Sequence, residues 1–210
     1  MLTLGISTSS GQFALVLGEN GKVLYNSNEF DINNELDDML FSALKSCGKE
    51  VKDITGIIVD IGPGGTSRVR TGVAFANSLS FSSGIPVFPV SSMELAGVDA
   101  GNKYKLPVIA TVKSIKGNAY IGLYNDEQVV IKYGPIEDIA IMTENLNEFA
   151  VVGFHRDAII NLPSLKNKSI IDTGMLYGDV SLFIEKEKLF KKRKGINFPY
   201  FAQPVTENTI

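Results

Sequence analysis

The sequence is short of the residue types that metal and thiol chemistry need: it holds one cysteine and one histidine among 210 residues. Cys47 alone cannot close an internal disulfide, and its place in an apolar helical pattern reads as a buried structural thiol, in keeping with a reducing cytoplasm. His155 alone cannot supply the paired imidazoles of a zinc hydrolase; set between Gly153-Phe154 and Arg156-Asp157, it reads as a surface or loop-capping residue. Positive charge is also scarce, since the net charge is −3 and the pI is near 5.3, so no general attraction to nucleic acid is expected. No uninterrupted apolar run approaches membrane-spanning length, and Met1 to Ile6 carry no basic leader, so a soluble, unprocessed protein without a membrane role is expected. Proline is sparse at 8 residues, and the 44% hydrophobic content is too high for disorder, so one large or two small domains fit.

What is present is a series of short apolar runs broken by turn residues. Leu2 to Thr8, Phe13 to Leu17 and Lys22 to Asn28 read as three strands, the last two joined through Asn20-Gly21, a strong hairpin signal. Ile32, Leu36, Met39, Leu40, Ala43, Leu44 and Cys47 follow at helical spacing and Gly48 ends this helix one. Ile54 to Ile61 is a fourth strand, Ser67 to Phe81 helix two, Pro86 to Val90 a fifth strand, and Ser91-Ser92-Met93-Glu94 a capped start of a third helix. This order predicts an α/β fold, a mixed sheet flanked by helices in a ribonuclease H-like domain spanning residues 1–103, with a break at Gly101-Asn102-Lys103. A smaller α/β domain over 104–210 is expected, with strands at 106–112, 119–124, 128–133, 150–153 and 169–172 and helices at 135–149 and 177–190.

Between the fourth strand and helix two lies Asp60-Ile61-Gly62-Pro63-Gly64-Gly65-Thr66-Ser67-Arg68-Val69-Arg70-Thr71-Gly72. Its glycines permit close backbone approach, and Thr66 or Ser67 can cap the helix. The free N–H groups of a helix start attract anions, which makes Gly62, Gly64, Gly65 and Thr66 a candidate anion-binding loop beside the alternative of a tight structural turn. The loop is not a P-loop, because no lysine follows the last glycine.

These motifs, together with Leu4-Gly5-Ile6-Ser7-Thr8-Ser9, Ile85-Pro86-Val87, Val90-Ser91-Ser92-Met93-Glu94 and Pro199-Tyr200-Phe201, resemble the TsaB (YeaZ) family over most of the chain. That family is Gcp-like, carries an older glycoprotease or M22-like peptidase label, and sits in the actin-like ATPase superfamily. The resemblance implies a two-lobed actin-like fold of ribonuclease H-like halves. It further implies a non-catalytic scaffold that pairs with a TsaD-like transferase to threonylcarbamoylate the adenosine beside the anticodon of tRNA, with a TsaE-like ATPase joining and tRNA reached through the complex. Where the family has Asp-Thr after the first strand this chain has Ser7-Thr8, and a neutral serine cannot organise magnesium around phosphates.

No catalytic residue, cofactor or metal is therefore expected; Asp60 can cap the loop or ligate a metal. By resemblance, helices one and two pair with matching helices of the partner, or of a second copy in a homodimer. This implicates Asp37, Leu40, Phe41 and Leu44 of helix one and Val69, Val73, Ala76 and Ser80 of helix two, the last two continuing a small-residue strip from Gly72. Periodicity leaves open whether these faces are instead core. The run Lys186, Lys188, Lys191, Lys192, Arg193, Lys194 can complement a helix C-terminus or touch tRNA phosphates. The alternative function is a free-standing actin-like ATPase or small-molecule kinase that binds phosphate at the Gly62–Thr66 loop.

Overall fold

A computed structural model describes residues 1–10, 13–27, 35–114, 117–192, 195 and 201–210. The chain forms two compact units: Met1–Ser92 with Val180–Val205, and Met93–Asp179 with Thr206–Ile210. The division expected at 103/104 thus lies at 92/93, and the C-terminal segment returns to the first unit.

Unit 1 is built on the sheet order β3-β2-β1-β4-β5, formed by β1 (Leu2–Ser7), β2 (Ala14–Glu19), β3 (Lys22–Ser27), β4 (Ile54–Asp60) and β5 (Val87–Val90). The first three strands are antiparallel, while β4 and β5 run parallel to β1. The hairpin between β2 and β3 turns through Asn20 and Gly21, both at positive φ (54° and 81°), as the Asn-Gly signal requires. Side chains alternate across the sheet. Leu4, Ile6, Leu15, Leu17, Ile57 and Val59 point to one face, where α1 (Leu36–Ser46) and α2 (Thr66–Ser83) close a core with Met39, Ala43, Val69, Val73 and Ala76. The opposite face is covered by α6 (Leu182–Glu185) and α7 (Glu187–Phe190), two single turns where one helix over 177–190 was expected. The chain breaks the helix at Lys186 (φ −113°), which lets Phe183 and Phe190 meet edge to face with centroids 5.6 Å apart.

Unit 2 repeats the topology in the order β10-β9-β6-β7-β8, from β6 (Val108–Lys113), β7 (Asn118–Asn125), β8 (Gln128–Pro135), β9 (Glu148–Gly153) and β10 (Ser169–Asp172). One face packs on α3 (Ser92–Tyr104) through Met93, Ala96 and Ala100. The other packs on α4 (Ile139–Met142) and α5 (Arg156–Ile160) through Ile139, Phe149, Val151 and Ile159. The helix expected over 135–149 is cut to a 3-10 turn and α4, because Glu148 and Phe149 already belong to β9, whose successive apolar residues feed both cores. Both sheets are thus mixed and flanked by helices, the α/β architecture that was expected.

The end of α4 is closed from a distance. Lys168 Nζ donates to the carbonyls of Thr143 (2.8 Å), Glu144 (3.2 Å) and Leu146 (2.5 Å), gathering the turn that leads into β9. Lys168→Met is expected to lower the free energy of unfolding by about 1–2 kcal/mol, since partly exposed carbonyls regain water for much of what they lose. Denaturant titration with a probe in unit 2 measures it.

Candidate functional site

The glycine loop is organised around a buried carboxylate. Asp60 closes β4 and is almost wholly shielded from solvent. Ser7 Oγ donates to Asp60 Oδ2 at 2.7 Å, the hydroxyl of Ser9 donates to the same oxygen, and Gly62 N–H donates to Oδ1 at 2.8 Å. Burial pushes the Asp60 carboxyl above its usual range, and the bonds from Ser9, Ser7 and Gly62 oppose that shift without cancelling it. Every donor comes from unit 1: the end of β1, the turn after it and the loop itself. Asp60 is therefore a knot that ties three backbone segments together, and its oxygens face protein donors.

The glycines serve the same packing. A Cβ at Gly64 would lie 2.6 Å from the Ser9 backbone oxygen, and a Cβ at Gly72 would lie 2.5 Å from Thr8 Oγ1. Thr8 Oγ1 in turn donates to the Arg68 carbonyl at 2.8 Å. Gly62 adopts φ +87°, ahead of a cis bond to Pro63. Ser92 fastens the far side, its N–H donating to Gly62 O (2.8 Å) and its hydroxyl to Pro63 O (2.7 Å). Gly65 is the N-cap of α2 and no side chain caps this end, so the expected capping by Thr66 or Ser67 does not occur. Of the candidate anion-binding residues, Gly65 and Thr66 are exposed, Gly64 is half-buried and Gly62 is buried with its N–H given to Asp60.

The helix residues expected at a partner face divide sharply. Leu40 and Leu44 of α1 and Val69, Val73, Ala76 and Ser80 of α2 are buried, and all but Ser80 belong to the unit's apolar core. Their position is inward, not outward as expected. The cause is the sheet beneath, whose apolar face takes the larger side chains of both helices while the Gly72-Ala76-Ser80 strip lets α2 lie close to it. Asp37 and Phe41 are exposed as expected. The outward surface of α2 includes Arg70, Thr71, Ala74, Ser78 and Phe81, together with the residues of its two ends, and none of these five stood among the residues expected at the partner face. Small residues occupy both sides of this helix, so size alone could not choose between them.

Cys47 is partly exposed at the C-cap of α1, where it was expected in the core. His155 is half-buried, with Nδ1 sealed from solvent and without a hydrogen-bond partner. Burial and, secondarily, the Lys113 charge lower its pKa. Among the described residues no group of three or more His, Cys, Asp or Glu is placed to hold a metal ion, and no helix is long and apolar enough to cross a membrane. In the basic run, Lys186, Lys188 and Lys192 are exposed and Lys191 is largely buried, while Arg193 and Lys194 lie outside the described residues, as do Ile32, Asn28, Pro199 and Tyr200.

The C-terminal residues complete the site's support. Asn77 of α2 reads the backbone of Ala202 with both ends of its amide, Nδ2 donating to Ala202 O (3.0 Å) and Oδ1 accepting from Ala202 N–H (3.1 Å). Val205 N–H donates to Ile61 O at 2.7 Å, next to the loop.

A family model described as "TsaD: tRNA N6-adenosine threonylcarbamoyltransferase" matches residues 32–168, more than half of the chain. The chain is 34% identical over 83 residues to the tRNA threonylcarbamoyladenosine biosynthesis protein TsaB of Bacillus subtilis (strain 168), spanning 40% of this chain and only 36% of that protein. It is 28% identical over 163 residues to the protein of the same name from Buchnera aphidicola subsp. Schizaphis graminum, spanning 77% of this chain and 70% of that one. The solved structure of YeaZ from Pseudomonas aeruginosa shares the fold, with a TM-score of 0.80 at 19% identity over 98% of this chain and 99% of that chain. A second solved structure, a Pseudomonas aeruginosa protein with similarity to peptidase YEAZ, gives 0.79 at 18% identity over 98% of both. The sheet order, the glycine loop knotted around Asp60 and these matches converge: the chain belongs to the TsaD-type family, tRNA N6-adenosine threonylcarbamoyltransferase, among its TsaB (YeaZ) members.

Proposed function

We propose that this chain serves the threonylcarbamoylation of adenosine in tRNA as a non-catalytic subunit, holding a TsaD-like transferase through the outward faces of α1 and α2. The observation that carries this reading is the makeup of those faces. Phe41 on α1 and Phe81 on α2 are each 62% exposed, and the surface of α2 between its ends is small, with Thr71, Ala74 and Ser78. Small side chains allow a second helix to approach closely, and exposed aromatic rings supply the anchors of such a seam. The names carried by the relatives supply the pathway. The state of Asp60 supports the non-catalytic part, because phosphoryl transfer needs a carboxylate open to a metal ion and this one is buried under two hydroxyls and an N–H. A TsaE-like ATPase and tRNA join through the complex, and the same faces close a homodimer when the transferase is absent.

Co-expression with the TsaD-like protein of the same organism, followed by size-exclusion chromatography, tests the pairing. The two chains are expected to co-elute, and Ala74→Arg is expected to separate them while changing the stability of the lone chain by no more than about 0.5 kcal/mol, as is usual at an exposed position. Unchanged co-elution of the variant, or ATP hydrolysis at an enzyme-like rate by the chain alone, would overturn the proposal. Saturable nucleotide binding by the unaltered chain would favour phosphate binding at Gly62–Thr66. Gly64→Val is a poor probe of that alternative, because its side chain would collide with Ser9 whether or not phosphate binds.

A further inference from the structure

The outer face of the unit 1 sheet has a seat cut for one segment. Gly5 on β1 and Gly18 on β2 stand where side chains would strike the C-terminal arm: a Cβ at Gly5 would lie 2.9 Å from Phe183, and one at Gly18 would lie 2.1 Å from Ile184. Gly56 on β4 likewise lies under Lys191, whose Nζ would be 3.1 Å from a Cβ there. Into these three places the arm inserts Phe183, Ile184 and the Lys191 ammonium. The ammonium donates to Thr3 Oγ1 at 2.7 Å, lies 3.6 Å from Glu187 Oε2 and sits 5.6 Å from the Phe88 ring centroid. Thr3 Oγ1 donates onward to Glu187 Oε2 at 2.8 Å.

The arm is held to the sheet by side chains, with Phe183, Ile184 and Phe190 buried, and it adds no strand to the sheet. Its helices are four residues each, far below the length at which a helix is stable alone. Burial also lowers the Lys191 pKa, against the opposing pull of Glu187, so the ammonium is held at a cost in solvation. A buried ionic cluster of this kind contributes less to stability than apolar packing would, but it fits in one register only.

We infer that residues 180–191 form a strap that opens as a unit while the unit 1 sheet stays folded, and that the Thr3–Glu187–Lys191 cluster is the key that fixes where it closes. The opened strap uncovers Thr3, Gly5, Val16 and Gly18 without disturbing the α1 and α2 side of the sheet.

Hydrogen exchange read by mass spectrometry on the full chain tests this directly. Helical-turn amides of Ile184, Lys186, Phe190 and Lys191 report the strap, and amides of β1 and β4 report the sheet. The strap amides are expected to exchange about tenfold or more faster than the sheet under native conditions, as a separately opening segment does. Thr3→Val and Lys191→Met are expected to speed the strap several-fold further and leave β4 unchanged, whereas Thr3→Ser, which keeps the hydroxyl, should behave as the parent. Equal exchange of strap and sheet in the parent overturns the separate opening. Parent-like exchange of the strap in Thr3→Val, or an equal effect of Thr3→Val and Thr3→Ser, overturns the role of the key.

Discussion

Replacing Ala76 with arginine is expected to unfold unit 1. Ala76 lies on the sheet-facing side of α2 with 0% of its surface exposed, in the same core as Ile57, Val59, Val73 and Leu40. An arginine there must either bury a guanidinium with no carboxylate to meet it or lift α2 off the sheet. Overpacking and charge burial act together, so a loss of about 4 kcal/mol or more is expected, a large part of the stability of an ordinary domain. Two residues away on the outward side, Ala74→Arg should leave the melting transition nearly in place. Parallel thermal melts of the two variants measure the contrast, and a folded, cooperative Ala76→Arg protein would mean that the helix presents its other side to solvent.

The second large effect is expected at Asp60. Asp60→Ala leaves the hydroxyls of Ser7 and Ser9 and the N–H of Gly62 without their acceptor in a buried place, while it also relieves a solvation penalty on the carboxylate. The net loss is expected to be about 2–4 kcal/mol. Asp60→Asn should lose much less, because its carbonyl can accept from Gly62 and the two hydroxyls can turn to accept from its amide. The pH dependence distinguishes the two contributions. The native carboxyl binds its proton more tightly than the unfolded one, whose pKa is near 3.8, so folding stability falls as pH rises from that value through the raised native one and is level above it. The stability of the parent minus that of Asp60→Asn, followed by denaturant titration from acid to neutral pH, should therefore decline across that window. A difference that rises with pH would mean that hydrogen bonding outweighs burial at this carboxylate.

The parts of the fold that were legible in the sequence are those whose cause lies within a few residues. Asn20-Gly21 announces its hairpin because both residues must take positive φ, and Gly48 follows α1 with φ +62°, ending the helix as its position suggests. The strand, glycine loop and helix from Ile54 to Ser83 were legible for the same reason. What was missed depends on residues far away. Residues 135–149 look helical by composition, but β9, which starts at Glu148, is drawn into the sheet by two cores, and α4 ends where Lys168, 25 residues past Thr143, meets its carbonyl. The break in the helix over 177–190 answers glycines in β1, β2 and β4, more than 120 positions earlier.

The candidate site was half legible by the same rule. That Asp60 serves the loop could be read from its position, whereas the two serines that cover it come from another strand end. The outward side of α2 was misassigned because Gly72-Ala76-Ser80 and Ala74-Ser78 are equally small, and only the sheet decides which strip it keeps.

The return of Val180–Val205 to unit 1 sets an order on synthesis. All five strands of unit 2 lie within one uninterrupted stretch, Met93–Asp179, and can assemble as soon as that stretch has left the ribosome. Unit 1, although its sheet is translated earlier, waits until the Met93–Asp179 stretch has been made before Phe183, Ile184 and Ala202 arrive. The usual rule that the earlier-translated domain matures first is thus reversed: once residue 179 has cleared the ribosome, the second sheet has all its strands while the first is still bare on its outer side.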